Sequence, residues 1–160
     1  MIKLYHGSNI LVKEPHIIPS LKALDFGEGF YLTTSFEQAT RWAKLVAERR
    51  EVGEPIVSVY NFDDESLGSL KVLRFEKASI KWLNFVLANR TNAQNNVRYD
   101  IVIGPVADDK TMPTLNYFLK GTYTANETIK RLLTFKLQDQ YVLKNEKALS
   151  LFSFDEEIKI

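Results

Sequence analysis

Alternation of apolar and polar positions predicts six short β-strands along the chain. Each segment is rich in β-branched or aromatic residues and is bordered by Gly, Pro, Asn or Asp. The predicted strands cover residues 2–6, 30–34, 55–62, 70–75, 99–106 and 140–143. The first of them stops at a turn formed by Gly7 and Ser8, so His6 is expected at a strand end. The apolar run at 99–106 is typical of a central strand.

Helical spacing predicts the elements between these strands. Ser35 is a suitable N-cap, and Gln38 three residues later completes a capping box for a helix over Phe36–Arg50. Helical patterns also cover residues 78–89, 112–119 and 124–135. A polar loop is predicted over residues 90–96, and a terminal segment over residues 146–152. Strand and helix signals are interleaved without a repeat or a linker. The class is therefore α+β, with a single domain over residues 1–160.

Composition and charge narrow the functions open to the chain. Its 160 residues carry a formal net charge of +1, which is too low for a dedicated nucleic-acid or membrane-surface binder. A net charge of +1 is still compatible with a local basic strip. The absence of cysteine excludes disulfides and thiolate metal sites, and the two histidines, His6 and His16, cannot form a His-rich one, so no metal is expected. The N-terminus lacks the apolar core of a signal peptide, and no segment reaches the length of a spanning helix. We expect a cytoplasmic protein with no membrane contact.

Three motifs in order carry a resemblance to a known superfamily. Residues 5–8 (YHGS), 27–33 (GEGFYLT) and 138–142 (QDQYV) resemble the three motif strands of ADP-ribosyltransferases. The similarity is to the His-Tyr-Glu branch, typified by diphtheria toxin and the poly-ADP-ribose polymerases. It is closest to a compact bacterial family of that superfamily that shares the block at 100–109 (DIVIGPVADD). The resemblance covers nearly the whole chain and implies a split β-sheet core with flanking helices.

The resemblance implies an NAD site built from the first two motifs. His6 corresponds to the residue that hydrogen-bonds an NAD ribose hydroxyl, Gly7 to the backbone that clamps the nicotinamide carboxamide, and Ser8 completes that motif. Tyr31 corresponds to the aromatic residue that stacks on nicotinamide, and Trp42 occupies the second aromatic position eleven residues later. An aromatic ring against the pyridinium gains about 1–2 kcal/mol from the cation–π interaction. Taken without the resemblance, the first motif also fits a plain strand end and turn, and Trp42 fits a core position.

The third motif departs from the branch pattern. Gln140 stands where these enzymes usually have a Glu, and Gln138 stands at the position that directs the acceptor. The Glu holds the nicotinamide ribose and offsets positive charge on the oxocarbenium-like centre formed as nicotinamide leaves. A neutral Gln keeps the hydrogen bond but loses roughly 2–4 kcal/mol of transition-state stabilisation, and it cannot act as a general base. The catalytic set implied by the resemblance is thus His6, Tyr31 and Gln140, suited to transfer of one ADP-ribose unit.

Several functions remain open at this stage. The first is a mono-ADP-ribosyltransferase with NAD as cosubstrate and an unidentified protein, nucleic-acid or small-molecule acceptor. The resemblance further implies the toxin of a bacterial toxin–antitoxin pair, with an antitoxin protein as partner. The alternatives are a catalytically weak NAD or ADP-ribose binding module, an NAD glycohydrolase, and an ordinary α+β domain without a nucleotide site. Transfer of a tRNA 2′-phosphate would need a basic cluster that the sequence does not reveal.

Other charged residues have two interpretations each. Asp108 and Asp109 follow the Gly104-Pro105 pair, where a carboxylate could meet NAD or the acceptor, or could cap the helix over Met112–Leu119. Arg98, Lys110 and Lys120 could reach a pyrophosphate, but scattered surface cations are common in any protein.

Overall fold

Seven strands and five α-helices make up the described part of the chain. The computed structural model describes residues 1–19, 24–91, 98–108 and 110–160. The strands are β1 (Ile2–Ser8), β2 (Phe30–Leu32), β3 (Ile56–Phe62), β4 (Val72–Arg74), β5 (Ile101–Pro105), β6 (Asp139–Leu143) and β7 (Phe152–Lys159). The helices are α1 (Phe36–Arg50), α2 (Ile80–Arg90), α3 (Met112–Leu119), α4 (Ala125–Leu132) and α5 (Glu146–Leu149), with a short 3-10 helix at Ser66–Ser69. The α+β class is confirmed.

The strands form two sheets that are joined, within the described residues, by a single backbone bridge. The first sheet has the order β1-β3-β7 and the second the order β2-β6-β5-β4; only the β4–β5 pair is parallel. Tyr5 of β1 and Thr33 exchange two backbone hydrogen bonds, of 2.9 and 3.1 Å, in an isolated antiparallel bridge. Beyond that bridge β1 and β2 are not paired in a ladder. The two sheets therefore separate beside His6 and Gly7.

Apolar side chains fill three clusters around the sheets. One lies between the sheets and contains Leu4, Phe30 and Tyr60, and a second packs α2, α3 and α4 against the other face of β5 and β6 around Trp82. The third is small: Ala39 and Ala43 of α1 contact β3. Alanine on the inner face of α1 lets this helix lie close to the first sheet. None of the described helices has the length and apolarity needed to span a membrane.

Most predicted elements are confirmed, and the bounds of α1 and α3 are the predicted ones. Two predictions about β1 and α1 are wrong in detail. Gly7 and Ser8 lie within β1 and not in a turn, because β1 pairs with β3 along all seven residues to Ile56. The capping box is half formed: Ser35 Oγ accepts from the amide of Gln38, but the amide of Ser35 donates to Thr33 Oγ1 and not to the Gln38 side chain.

The C-terminal strand β7 is absent from the sequence prediction. Its alternation is interrupted by a register shift opposite Val59 and Tyr60. Before the shift Phe154 pairs with Tyr60 and packs in the inter-sheet cluster, whereas after it Ile158 pairs with Val57 and packs beside α1. A β-bulge thus moves the apolar positions from one face to the other.

The predicted loop at 90–96 begins with the last residue of α2, and residues 92–96 lie outside the described residues.

Candidate functional site

An open pocket of about 400 Å³ brings together three of the residues singled out by sequence. Tyr31 reaches it from β2, Trp42 from α1 and Gln140 from β6. The rest of the wall comes from the segment before β2, from α1 and α2, and from the residues after β5: Leu24, Asp25, Arg49, Arg90, Val106 and Ala107. An aromatic pair and an amide thus share a concave site with two arginines.

Tyr31 has a second role that the sequence does not reveal. Its hydroxyl donates to the carbonyl of Gly27 at 2.6 Å and accepts from the amide of Phe26 at 3.2 Å. Burial is the main reason why the pKa of this phenol is raised above its ordinary value. The ring faces the pocket while the hydroxyl fixes residues 26–27, where Gly27 has a φ of +75°.

A buried ion pair holds the same wall of the pocket. Arg90 Nε donates to Asp25 Oδ1 at 2.6 Å, and a terminal nitrogen of the same guanidinium makes a second contact. The side chains are only 11% exposed for Asp25 and 23% for Arg90. Burial raises the pKa of Asp25 even though Arg90 opposes the shift. Lys144 adds a hydrogen bond from Nζ to the carbonyl of Phe26 at 2.5 Å, and burial lowers the pKa of Lys144 to about 8.

Gln140 is 2% exposed and its amide is held by the end of β5. Its Nε2 lies 3.5 Å from the carbonyl oxygen of Pro105. The buried indole of Trp82 donates to the same oxygen at 3.0 Å. The Gln140 side chain therefore acts as a hydrogen-bond donor toward the protein, a function that a carboxylate cannot perform.

His6 is not one of the residues that line this pocket, although it contacts the backbone of Tyr31, which does. Its Nδ1 is 2.8 Å from the carbonyl oxygen of Tyr31, and its ring stacks on Phe30 with centroids 4.4 Å apart. A carbonyl only accepts, so Nδ1 carries the proton. Burial, with a smaller contribution from the charge of Arg50, lowers the pKa of His6. The neutral ring consequently keeps Nε2 as an acceptor.

Gly7 is required by packing, and its backbone N–H and C=O point away from β3. A Cβ on Gly7 would lie 2.0 Å from the carbonyl oxygen of Ala39 and 2.8 Å from the nitrogen of Ala43, both on α1. Backbone groups alternate in direction along a strand, so the N–H and C=O of Gly7 point to the same side as those of Tyr5, into the separation between the sheets. Ser8 is buried, and its hydroxyl is directed at Asn9 Oδ1, 3.4 Å away.

The acidic residues near the third motif have structural partners. Asp139, between the two glutamines, accepts from the amide and hydroxyl of Thr34 at 3.1 and 2.8 Å and so joins β6 to the end of β2. Asp108 Oδ1 accepts from the amides of Lys110 and Thr111, just before α3, whereas the N-cap residue of that helix, Thr111, makes no side-chain capping bond. Asp109 lies outside the described residues.

Of the three cations considered above, Lys110 lines a depression beside α1 and Lys120 lines a separate one on α3, whereas Arg98 lines neither of these. Within the described ranges, no three His, Asp or Glu side chains come close enough together to hold a metal ion.

Fold and pocket together define a small α+β protein with an open cleft beside the junction of two sheets. The chain belongs to DUF3990, a family of proteins of unknown function, whose model matches residues 2–154. No curated protein and no solved structure matches the chain.

Proposed function

We propose that the protein is a mono-ADP-ribosyltransferase that uses NAD as cosubstrate. The observation that carries the proposal is the convergence of Tyr31, Trp42 and Gln140, from three separate elements, on one pocket of about 400 Å³. The volume is in the range of ordinary small-molecule sites. Two aromatic side chains with a buried amide suit a planar cationic ring joined to a sugar.

The separation between the sheets supports the same proposal. Gly7 offers an N–H donor and a C=O acceptor on one edge, which is the complement of a primary carboxamide. His6 Nε2 offers an acceptor for a ribose hydroxyl. A split arrangement with β1 beside β2 also agrees with the split-sheet core expected of an ADP-ribosyltransferase.

In the proposed reaction the bond between the nicotinamide nitrogen and ribose C1′ breaks, and its electron pair leaves with nicotinamide. A nucleophilic nitrogen or oxygen of the acceptor forms the new bond to C1′ and releases its proton to water. Tyr31 and Trp42 hold the ring, and Gln140 faces the ribose. Arg49 and Arg90 line the pocket and could meet the anionic remainder of NAD.

Catalytically weak NAD binding is the second candidate, and the state of Gln140 favours it. The side chain is neutral and donates to Pro105, so it supplies no negative charge to an oxocarbenium-like centre. The roles as a toxin and as the partner of an antitoxin rest on the resemblance alone.

One experiment separates these candidates. Purified protein is incubated with NAD labelled in the adenylate, with a bacterial lysate as acceptor source, and nicotinamide, free ADP-ribose and labelled macromolecules are measured. We expect nicotinamide release together with labelled macromolecules, lost in Tyr31→Ala and kept in Tyr117→Ala, an exposed aromatic residue on α3. Release of free ADP-ribose without labelled macromolecules would indicate a glycohydrolase. NAD binding without cleavage would indicate a binding module, and the absence of NAD binding would contradict the site.

A further inference from the structure

A second depression continues from the pocket along the outer face of α1. It shares Trp42, Arg49 and Ala107 with the pocket, then passes Gln38, Arg41 and Asp108. Its far end is lined by Lys110, Phe135, Lys136 and Gln138 together with Glu37, Gln38, Arg41 and Asp108. We call this continuous surface the α1 groove. It ends at Gln138, two residues before Gln140.

The helical repeat of α1 explains why this groove is polar. Ala39 and Ala43 lie on the inner face and are fully buried against the sheet. Gln38, Arg41, Leu45 and Arg49 recur at intervals of three or four residues, with Trp42 beside Arg41, and form the face that lines the groove. One stripe of α1 thus lines the groove over about three helical turns.

Gln38, one of the residues that line this groove, carries a buried acceptor without a partner. The residue is 2% exposed, and its Oε1 has no hydrogen-bond partner among the described residues. The amide of Ser35, which a complete capping box would direct to it, donates to Thr33 instead. A buried polar atom without a partner costs free energy, so a ligand that donates an N–H here would be favoured.

The charge of the groove is positive. Arg41, Arg49, Lys110 and Lys136 are exposed, and none of them forms an ion pair within the part of the chain that the structure describes. The described carboxylates that line it are Glu37 and Asp108, and Asp108 is engaged at the start of α3. Phe135, 38% exposed, and Trp42 add aromatic surface.

We propose that the α1 groove binds single-stranded nucleic acid and that this strand is the acceptor of ADP-ribose. Cations that follow a phosphate backbone, aromatic side chains on which bases stack, and an amide oxygen for a base N–H are the features of such sites. A protein acceptor would have to match four unpaired cations with acidic side chains, whereas a phosphate backbone supplies a regular row of negative charges. The acceptor role rests on the proposed function, whereas strand binding does not.

Binding is tested without NAD, by fluorescence anisotropy of labelled single-stranded DNA and RNA of about 12 nucleotides. The double variant Arg41→Glu/Lys136→Glu should weaken binding about tenfold or more and flatten its salt dependence. Lys44→Glu changes an exposed cation of the same helix that does not line the groove, and it should change affinity by less than about twofold. Gln38→Leu should weaken binding of the ordinary strand but not of an abasic strand of the same length.

Equal losses of affinity in the Lys44 variant and in the double variant would overturn the groove assignment. Wild-type binding that is absent or independent of salt would also overturn it.

Labelled NAD then tests the acceptor role: nuclease digestion of the labelled lysate should remove the label. Label that survives nuclease and is removed by protease would overturn the nucleic-acid acceptor. Strand binding by a protein that releases no nicotinamide would support the groove while contradicting the proposed function.

Discussion

Nδ1 of His6 donates to the backbone carbonyl of Tyr31 at 2.8 Å, across the point where β1 and β2 separate. This bond ties the first motif to the second through a side chain, in a place where a strand ladder would otherwise do so. It also fixes which ring nitrogen carries the proton.

A pH dependence follows from the lowered pKa of His6. The unfolded chain binds a proton near the ordinary value of 6.5, and the folded chain binds it only at lower pH, so the stability of the folded state rises with pH through that window. When the pH falls from about 7 to about 5, the free energy of unfolding of the wild type should decrease more than that of His6→Asn. The Asn variant is a suitable control because it keeps a donor for the Tyr31 carbonyl. Urea unfolding at both pH values measures the difference, and parallel profiles would contradict it.

The contributions of the Tyr31 ring and of its hydroxyl can be measured separately with two substitutions. Tyr31→Phe keeps the ring in the pocket but removes the bonds to Gly27 and Phe26, so it should cost about 1 kcal/mol of stability and leave NAD affinity within about threefold. Tyr31→Ala removes the ring as well and should weaken NAD binding by at least about 1 kcal/mol. Calorimetric titration of both variants provides the measurement. Equal NAD affinity in the two variants would mean that the ring does not stack on the ligand.

Gln140→Glu tests the missing charge. A carboxylate would better stabilise an oxocarbenium-like centre, but burial beside the Pro105 carbonyl should raise its pKa. The rate of nicotinamide release by the variant, divided by that of wild type, should therefore increase between about pH 5 and about pH 8. Gln140→Ala should be inactive at every pH. A Glu variant that is inactive throughout would indicate a site that needs the amide donor.

The Asp25–Arg90 pair predicts a large effect from one truncation. Arg90→Ala leaves a buried carboxylate unpaired and should cost about 2–3 kcal/mol of stability, with weaker NAD binding because one wall of the pocket loosens. Lys3→Ala breaks an exposed contact to Asp155 and should leave the stability almost unchanged. Chemical denaturation compares the two variants. Similar costs would mean that the Asp25–Arg90 pair is no stronger than a surface contact.

Two glycines give a matched pair for packing. Gly7→Ala places a methyl group 2.0 Å from a backbone oxygen of α1, so it should cost at least about 2–3 kcal/mol or prevent folding. Gly68→Ala places its methyl group where no atom lies within 4 Å, and stability should change by less than about 0.5 kcal/mol. Thermal unfolding distinguishes them, and a well-folded Gly7 variant would contradict the close approach of α1.

The sequence predicts those features that are encoded locally. The Ser35 cap and the alanine stripe are sufficient to define α1, and alternation is sufficient for β3. It does not predict β7, because a bulge interrupts the alternation and three consecutive acids are unusual in a strand. Nor does it predict the Asp25–Arg90 pair, whose members are 65 residues apart, or the groove cations, which come from α1 and from segments on either side of α3 and α4. These depend on which segments the fold brings together.

Two of the four edge strands of the described sheets, β4 and β7, are poorly suited to pairing with a second molecule. The strand β4 has three residues and ends at Arg74, so it offers little backbone to another chain. The strand β7 is longer, but it is bulged and carries Asp155, Glu156 and Glu157 in succession, with Lys3 bound to the first two. Short, bulged and charged edges disfavour strand addition by a second molecule. At the β7 edge, the acidic residues that interrupt the strand pattern in the sequence are thus the ones that disfavour strand addition.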